Sequence, residues 1–326
     1  PSGKSATRPM LTPEQVNANA ETYMSQFFTV VDRSKTEVRW QSEWFGKFTL
    51  QDVLSLTSRF TLAQLLARED FSQRFRSDQP IAITELLYPL LQAYDSVMVK
   101  ADVEFGGTDQ KFNLLVGRDM QEMSGQHPQQ CLLVPILTGT DGTMKMSKSL
   151  NNYIGVAESP SDIYGKTMSL PDKLIGMYFE LLTDIPDKEL SEIQTAVEDE
   201  TTNPMGYKKQ LARNLVTQFY NEQLATEAAR GFERIVQRGE LPQDIRTFLL
   251  PSETKIATMK VSHIIVAADL APSVGQARRL IQQGAVEVEG QRLQSDQPAQ
   301  SLPIGGVLKV GKRNFVRLTV KGQANL

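Results

Sequence analysis

Apolar and polar residues follow two rhythms along the chain. As far as about Ile154, helical patterns are interleaved with short apolar runs bounded by polar or glycine-containing segments, such as Val97-Met98-Val99 and Leu132 to Leu137. That interleaving predicts an α/β domain with buried strands. From about Ser161 to Arg238 the pattern is helical. Asn203-Pro204 predicts a helix start, since proline is tolerated in a first turn, and Leu211, Leu215, Val216 and Phe219 then fall near one face. Leu241 to Thr258, with Pro242, Pro251 and Ser252 and no periodicity, reads as a linker. The tail predicts two short helices followed by strands. Ser273 caps the second helix and Gly284 ends it; Val286-Glu287-Val288 alternates, Gly290 offers a turn, and Phe315 to Val320 alternates again. The expected divisions are therefore residues 1–155, 156–250 and 256–326.

Composition narrows the classes. The 326 residues are 40% apolar and 22% charged, enough to bury a core, and no apolar run approaches the length needed to cross a bilayer. A single cysteine, Cys131, excludes a disulfide framework and a thiolate metal cluster, and His127 and His263 sit in no metal-ligand motif. The net charge of −3 conceals an asymmetry. From Lys255 onward there are ten basic residues against four acidic ones, a surplus of six, which leaves −9 on the remainder. A basic tail on an acidic body points to a localised polyanion contact or to a merely solvated basic face.

The strongest local signal is Lys145-Met146-Ser147-Lys148-Ser149, approached through Thr138-Gly139-Thr140-Asp141-Gly142-Thr143. Lysines three apart can present two ammonium groups to one polyphosphate, with Ser147 and Ser149 adding hydroxyl donors; in general such a segment is more often a solvated basic loop. This pentapeptide, however, is similar to the second signature of class I aminoacyl-tRNA synthetases. Gly106-Gly107-Thr108-Asp109-Gln110 resembles the Gly-Gly-(Ser/Thr)-Asp-Gln motif of tyrosyl-tRNA synthetases, Tyr88 to Asp95 resembles their tyrosine-binding helix, and Pro1-Ser2-Gly3-Lys4 resembles a segment that follows an aspartate in them. The resemblance spans essentially the whole chain and is closest to the bacterial type. It implies a partial nucleotide-binding (Rossmann-like) α/β fold, then a helical domain and a small α+β module.

On a helix, Tyr88, Gln92 and Asp95 fall at about 0°, 40° and −20°, one polar stripe on an apolar element. Such a stripe needs either an internal network or a polar ligand. The resemblance implies the ligand is tyrosine, with Tyr88 and Gln92 at its ammonium group and Asp95 at its phenol. It places Gly107 and Asp109 at the ATP ribose, Gln110 near the tyrosine carboxylate or the adenylate, and Lys145, Lys148 and Ser149 at the triphosphate. Glu104 stands where some relatives carry glutamine, and Lys4 and Arg8 border the nucleotide and the tRNA end. ATP with Mg²⁺, tyrosine and tRNA(Tyr) are the implied substrates of a cytoplasmic, homodimeric tyrosine–tRNA ligase. Rival classes are an inactive RNA-binding relative and a regulatory tyrosine-binding protein.

Ser273 to Val286 resembles the S-four RNA-binding module, named after a ribosomal small-subunit protein. The implied RNA contacts are Arg278 and Arg279 on a short helix and Lys309, Lys312 and Arg313 on a basic hairpin. The His-x-Gly-His signature of the class is not present in these 326 residues. The expectation is that this signature, a tyrosine-binding Tyr and the aspartate lie upstream of Pro1, and that the chain as given supports no ATP–pyrophosphate exchange.

Overall fold

A computed structural model describes residues 11–199, 202–237, 240–241, 245–251, 256–311 and 314–320. Lys4, Arg8, Lys312 and Arg313 lie outside them. The chain divides into two compact units, with the boundary in the sequence between Ala157 and Glu158.

In the first unit the helices are α1 (Pro13–Phe27), α2 (Ser42–Phe45), α3 (Leu50–Thr57), α4 (Leu62–Leu65), α5 (Glu69–Arg76), α6 (Ile83–Val99) and α7 (Lys111–Met123). Threonines open several of them: Thr12, Thr49 and Thr61 each accept the backbone N–H three residues on, and the side chain at that position returns the bond. Helix α6 lacks such a cap. Instead Glu85 Oε1 accepts the Ala82 N–H at 3.0 Å and pairs with Arg74, whose guanidinium also donates to the Pro80 carbonyl. That cluster ties α5 to the start of α6 and to the segment leading into it.

Strands β1 (Val103–Gly107) and β2 (Gln130–Val134) pair in parallel, from Val103 opposite Gln130 to Gly107 opposite Val134. A parallel pair needs a crossover, and α7 supplies it. Leu90, Ala93 and Val97 of α6 meet Val116 and Met120 of α7, with Leu56 and Leu65 closing the core. The strand expected at Val97-Met98-Val99 is instead the last turn of α6. The helix ends one residue later, at Lys100, whose φ of 56° is left-handed and whose N–H bonds the Ser96 carbonyl at 3.0 Å. Three apolar residues read alike as a strand and as a buried helix end.

The second unit begins with α8 (Pro160–Met168), α9 (Ile175–Leu182), α10 (Asp187–Glu198), α11 (Met205–Phe219) and α12 (Glu222–Phe232). Asn203 Oδ1 accepts the Met205 N–H at 3.0 Å, so the expected start of α11 holds. Leu211, Leu215 and Val216 are buried, as are Tyr164, Tyr178 and Phe179 on α8 and α9. The same unit continues into β3 (Thr247–Leu249), α13 (Val261–Ala267), α14 (Val274–Gln282), β4 (Val286–Val288), β5 (Gln291–Arg292), β6 (Val307–Val310) and β7 (Asn314–Thr319). The sheet order is β3-β7-β6-β4-β5. Ser273 caps α14, accepting the Gln276 N–H at 3.3 Å, and the alternation at 286–288 and 315–320 becomes β4 and β7. The expected linker is not wholly a linker: Thr247–Leu249 pair in parallel with β7, and Leu250 is buried in the core under this sheet. Three strand residues between prolines carry too little alternation to announce this. Among the described residues no helix is long and apolar enough to cross a membrane.

Candidate active site

One cavity of about 840 Å³ in the first unit collects residues from distant parts of the sequence. Tyr88 of α6, Thr108 to Asn113 after β1, Lys145 of the lysine loop, and Arg68, Asp70 and Gln73 of α5 and its approach all line it. Tyr88, Asp109, Gln110 and Lys145, singled out in the sequence, are thus brought together. Lys145 Nζ lies 3.9 Å from Asp109 Oδ2; both side chains are largely exposed, so the pair marks proximity rather than stability. A Cβ on Gly107 would lie 2.5 Å from Ile136 Cδ1 and 3.0 Å from Asp109 Oδ1, so a side chain there would crowd the Asp109 carboxylate.

Gln92 reaches this group through Asn113, a residue that sequence reasoning missed. Asn113 is 4% exposed and its Nδ2 donates to Gln92 Oε1 at 3.1 Å and to Gln110 Oε1 at 3.0 Å. Its spacing three residues after Gln110, one helical turn, was the available signal. The expected phenol-reading carboxylate, Asp95, stands one turn further along α6 and is not among the cavity-lining residues. It accepts the Trp44 indole N–H at 2.9 Å on Oδ1 and the Gln41 amide on both oxygens, at 3.2 and 2.9 Å. Burial pushes its carboxyl above the ordinary aspartate range, and the bonds from Trp44 and Gln41 offset part of the rise. Nothing local in the sequence linked Gln41 or Trp44 to this helix.

Glu104 belongs to a different network. Its Oε2 accepts from Ser96 Oγ at 2.8 Å and from Gln129 Nε2. Gln121 accepts the Gln129 N–H at 2.7 Å and donates to the Ser96 carbonyl at 3.1 Å. Ser96, Gln121 and Gln129 are all buried, so Glu104 joins β1 to α6 and to the start of β2.

The lysine loop is built on backbone pairing. Thr138 and Lys145 form an antiparallel bridge, Gly139 N–H donates to the Met144 carbonyl at 2.8 Å, and Met146 N–H to the Leu137 carbonyl at 2.9 Å. Asp141 Oδ1 accepts the Thr143 and Met144 N–H groups, each at 2.8 Å, and these bonds hold its carboxyl below the usual range. Lys145, Lys148 and Ser149 are exposed, and the Ser147 and Ser149 hydroxyl oxygens are 2.7 Å apart. Among the described residues no group of three or more His, Cys, Asp and Glu is placed to hold a metal.

In the terminal module the basic residues differ in what they touch. Arg278 Nε donates to Asp296 at 3.2 Å, and Asp296 also accepts from the N–H and hydroxyl of Ser262. Burial would lift the Asp296 carboxyl, but these bonds outweigh it and hold it low. Lys309 Nζ bonds Glu287 at 3.0 Å and lies 5.9 Å from the Phe315 ring centroid. Arg279 is exposed.

The βαβ unit thus carries Gly106-Gly107 at the end of its first strand, Thr108-Asp109-Gln110 just after it and the lysine loop beside Asp109, and the second unit adds helices and a small mixed sheet. The family described as tRNA synthetases class I (W and Y) matches residues 1–237, and the S4 domain matches residues 263–298. The chain belongs to that class I synthetase family. It is 58% identical to a tyrosine–tRNA ligase of Dehalococcoides mccartyi strain CBDB1, over 97% of this chain and 78% of that protein. It is 46% identical to a tyrosine–tRNA ligase of Moorella thermoacetica, over 98% and 76%. In fold it matches a crystal structure of a tyrosyl-tRNA synthetase complexed with L-tyrosine from Archaeoglobus fulgidus. The TM-score there is 0.53 at 22% identity, over 67% of this chain and 74% of that one.

Proposed function

We propose that the chain performs the chemistry of a tyrosine–tRNA ligase, activating tyrosine with ATP and transferring it to tRNA(Tyr). The observation that supports this most directly is the single cavity lined by Tyr88, Asp109, Gln110 and Lys145. In the first step a tyrosine carboxylate oxygen attacks the α-phosphorus, the bond to the β-phosphate breaks, and pyrophosphate leaves. In the second, a ribose hydroxyl at the tRNA 3′ end attacks the tyrosyl carbonyl, losing its proton as AMP departs. Neither step needs a protein nucleophile, so the protein contributes orientation and charge stabilisation.

Tyr88 and Gln92 take the ammonium group and Gln110 the carboxylate, with Asn113 holding both amides. Asp95 takes the phenol; a site that bonds a substrate hydroxyl rejects the analogue lacking it, a discrimination for which tyrosyl-tRNA synthetases are themselves the known example. Gly107 and Asp109 border the ribose. Lys145, Lys148 and Ser149 follow negative charge onto the departing pyrophosphate, and Mg²⁺ accompanies ATP as part of the substrate. Arg278, Arg279 and Lys309 contribute to the RNA face, and Lys312 and Arg313, which lie outside the described residues, are assigned to it from the sequence alone. The family resemblance further supports a homodimer working in the cytoplasm.

The test is ATP–pyrophosphate exchange in the full-length protein. Exchange that depends on tyrosine and is not supported by phenylalanine at the same concentration is the expected result. Failure of tyrosine to support exchange would overturn the reading.

A further inference from the structure

We propose that Asn152 is a positioning residue for the activation step, bracing the lysine loop from beneath so that Lys145 and Lys148 start from fixed backbone positions. The inference rests on reading those lysines as the triphosphate clamp. Asn152 lies outside the signature pentapeptide and is 3% exposed, whereas Lys145 and Lys148 are exposed.

Its amide makes three hydrogen bonds whose direction is forced by the partners. Oδ1 accepts the Ser147 N–H at 2.8 Å; Nδ2 donates to the Lys145 carbonyl at 3.1 Å and to Asp141 Oδ2. A backbone N–H only donates, and a carbonyl and a carboxylate only accept, so the amide has one usable orientation. The backbone carbonyl of Asn152 also accepts the Thr140 N–H at 2.8 Å. One side chain therefore ties the approach at Asp141 to the backbone of both Lys145 and Ser147. Gly139 makes room for it: a Cβ there would lie 2.2 Å from Asn152 Nδ2 and 2.4 Å from its Cγ.

The consequence is a division of labour. Within the pentapeptide the brace grips backbone atoms only, at Lys145 and Ser147, leaving both ammonium groups to move with the phosphates. Two charges on long side chains stabilise a transition state best when their anchoring backbone does not wander, and a displacement of about 1 Å can cost on the order of 100-fold in rate.

The experiment is a swap. Asn152→Asp keeps the acceptor for Ser147 but sets a second carboxylate against Asp141. Asp141→Asn alone sets two amide nitrogens against each other. In the double variant Asp141→Asn/Asn152→Asp the donor and acceptor are exchanged and the bond between these two side chains is restored, while the bond to the Lys145 carbonyl stays lost, so recovery is partial. In the full-length protein, each single variant is expected to form tyrosyl-adenylate on the order of 100-fold more slowly, with tyrosine affinity within about twofold of the parent. The double variant recovers about tenfold or more of that loss. Thermal unfolding is measured alongside, and Asn152→Ala replaces Asn152→Asp should the charge prevent folding. Single variants that activate at the parental rate, or a double variant no faster than the slower single one, would overturn the proposal. Lys145→Ala separates the two readings. If it slows activation while Asn152→Asp does not, the brace alone fails; if it too is without effect, the clamp reading fails.

Discussion

The indole N–H of Trp44 donates to Asp95 Oδ1 at 2.9 Å, joining residues 51 apart in the sequence. The bond runs from a four-residue helix to the C-terminal part of the long helix α6, and Gln41, just before that short helix, supplies a second donor to the same carboxylate. Burial raises this carboxyl above the ordinary aspartate range, and the two donors offset part of the rise and fix the carboxylate against α2, as the proposed phenol contact needs.

Removing the indole donor with Trp44→Phe is expected to push the Asp95 carboxyl further up. The acid limb of tyrosine binding, followed by equilibrium dialysis from about pH 4 to 7, then moves to higher pH. At neutral pH the preference for tyrosine over phenylalanine falls by roughly 1 kcal/mol, about fivefold. An unmoved pH profile would show that Asp95 does not read the phenol.

Arg74 and Glu85 give a pH signature of a different sign. The guanidinium bonds hold the Glu85 carboxyl at about 2, against an ordinary value of 4.5. A carboxyl depressed in the fold stabilises it above the unfolded value, and that contribution is lost as pH falls from about 4.5 toward 2. Glu85→Gln is expected to cost roughly 2–3 kcal/mol at neutral pH, measured by urea unfolding. The gap from the parent should narrow as pH falls below about 4.5 and close toward about 2.

On the proposed reading, in which their charge acts on the phosphates, Lys145→Ala and Lys148→Ala should slow adenylate formation by on the order of 100-fold while changing tyrosine affinity little. Rapid-quench measurement of adenylate, set against tyrosine dissociation constants, decides this. Equal losses in both quantities would mean that the lysines serve ground-state binding.

On the RNA module, Arg279 is exposed, whereas Arg278 and Lys309 each bond a carboxylate. Arg279→Ala is expected to weaken RNA binding and lower the salt slope by about one, with stability unchanged. Lys309→Ala is expected to act chiefly on stability, releasing Glu287 to Arg292 alone. Filter binding across a salt series, with thermal melts beside it, tests both halves.

What the sequence disclosed was what is local. The apolar rhythm placed α11, α14 and the alternating strands, because each records its buried face in its own residues. Val97 to Val99 misled, because a buried helix end and a short strand share one composition. Thr247 to Leu249 escaped notice because its partner, β7, lies at the far end of the module. The site divides in the same way. Tyr88, Asp109, Gln110 and Lys145 were found as motifs, and the cavity gathers them. Gln41, Trp44, Asn113 and Asn152 were missed because none carries charge or stands in a signature. Each matters through bonds to residues elsewhere, and such bonds leave no pattern along the chain.

The strand β3 also sets where this protein can be cut. The residues that match the S4 domain, 263–298, would suggest a fragment beginning near 256. Such a fragment discards β3, bares the outer N–H and C=O groups of β7, and takes away the Leu250 that plugs the core beneath. An unpaired edge of this kind invites chain-to-chain association. An excised RNA-binding piece that stays monomeric should start ahead of Ile245, inside what the sequence presents as mere connection.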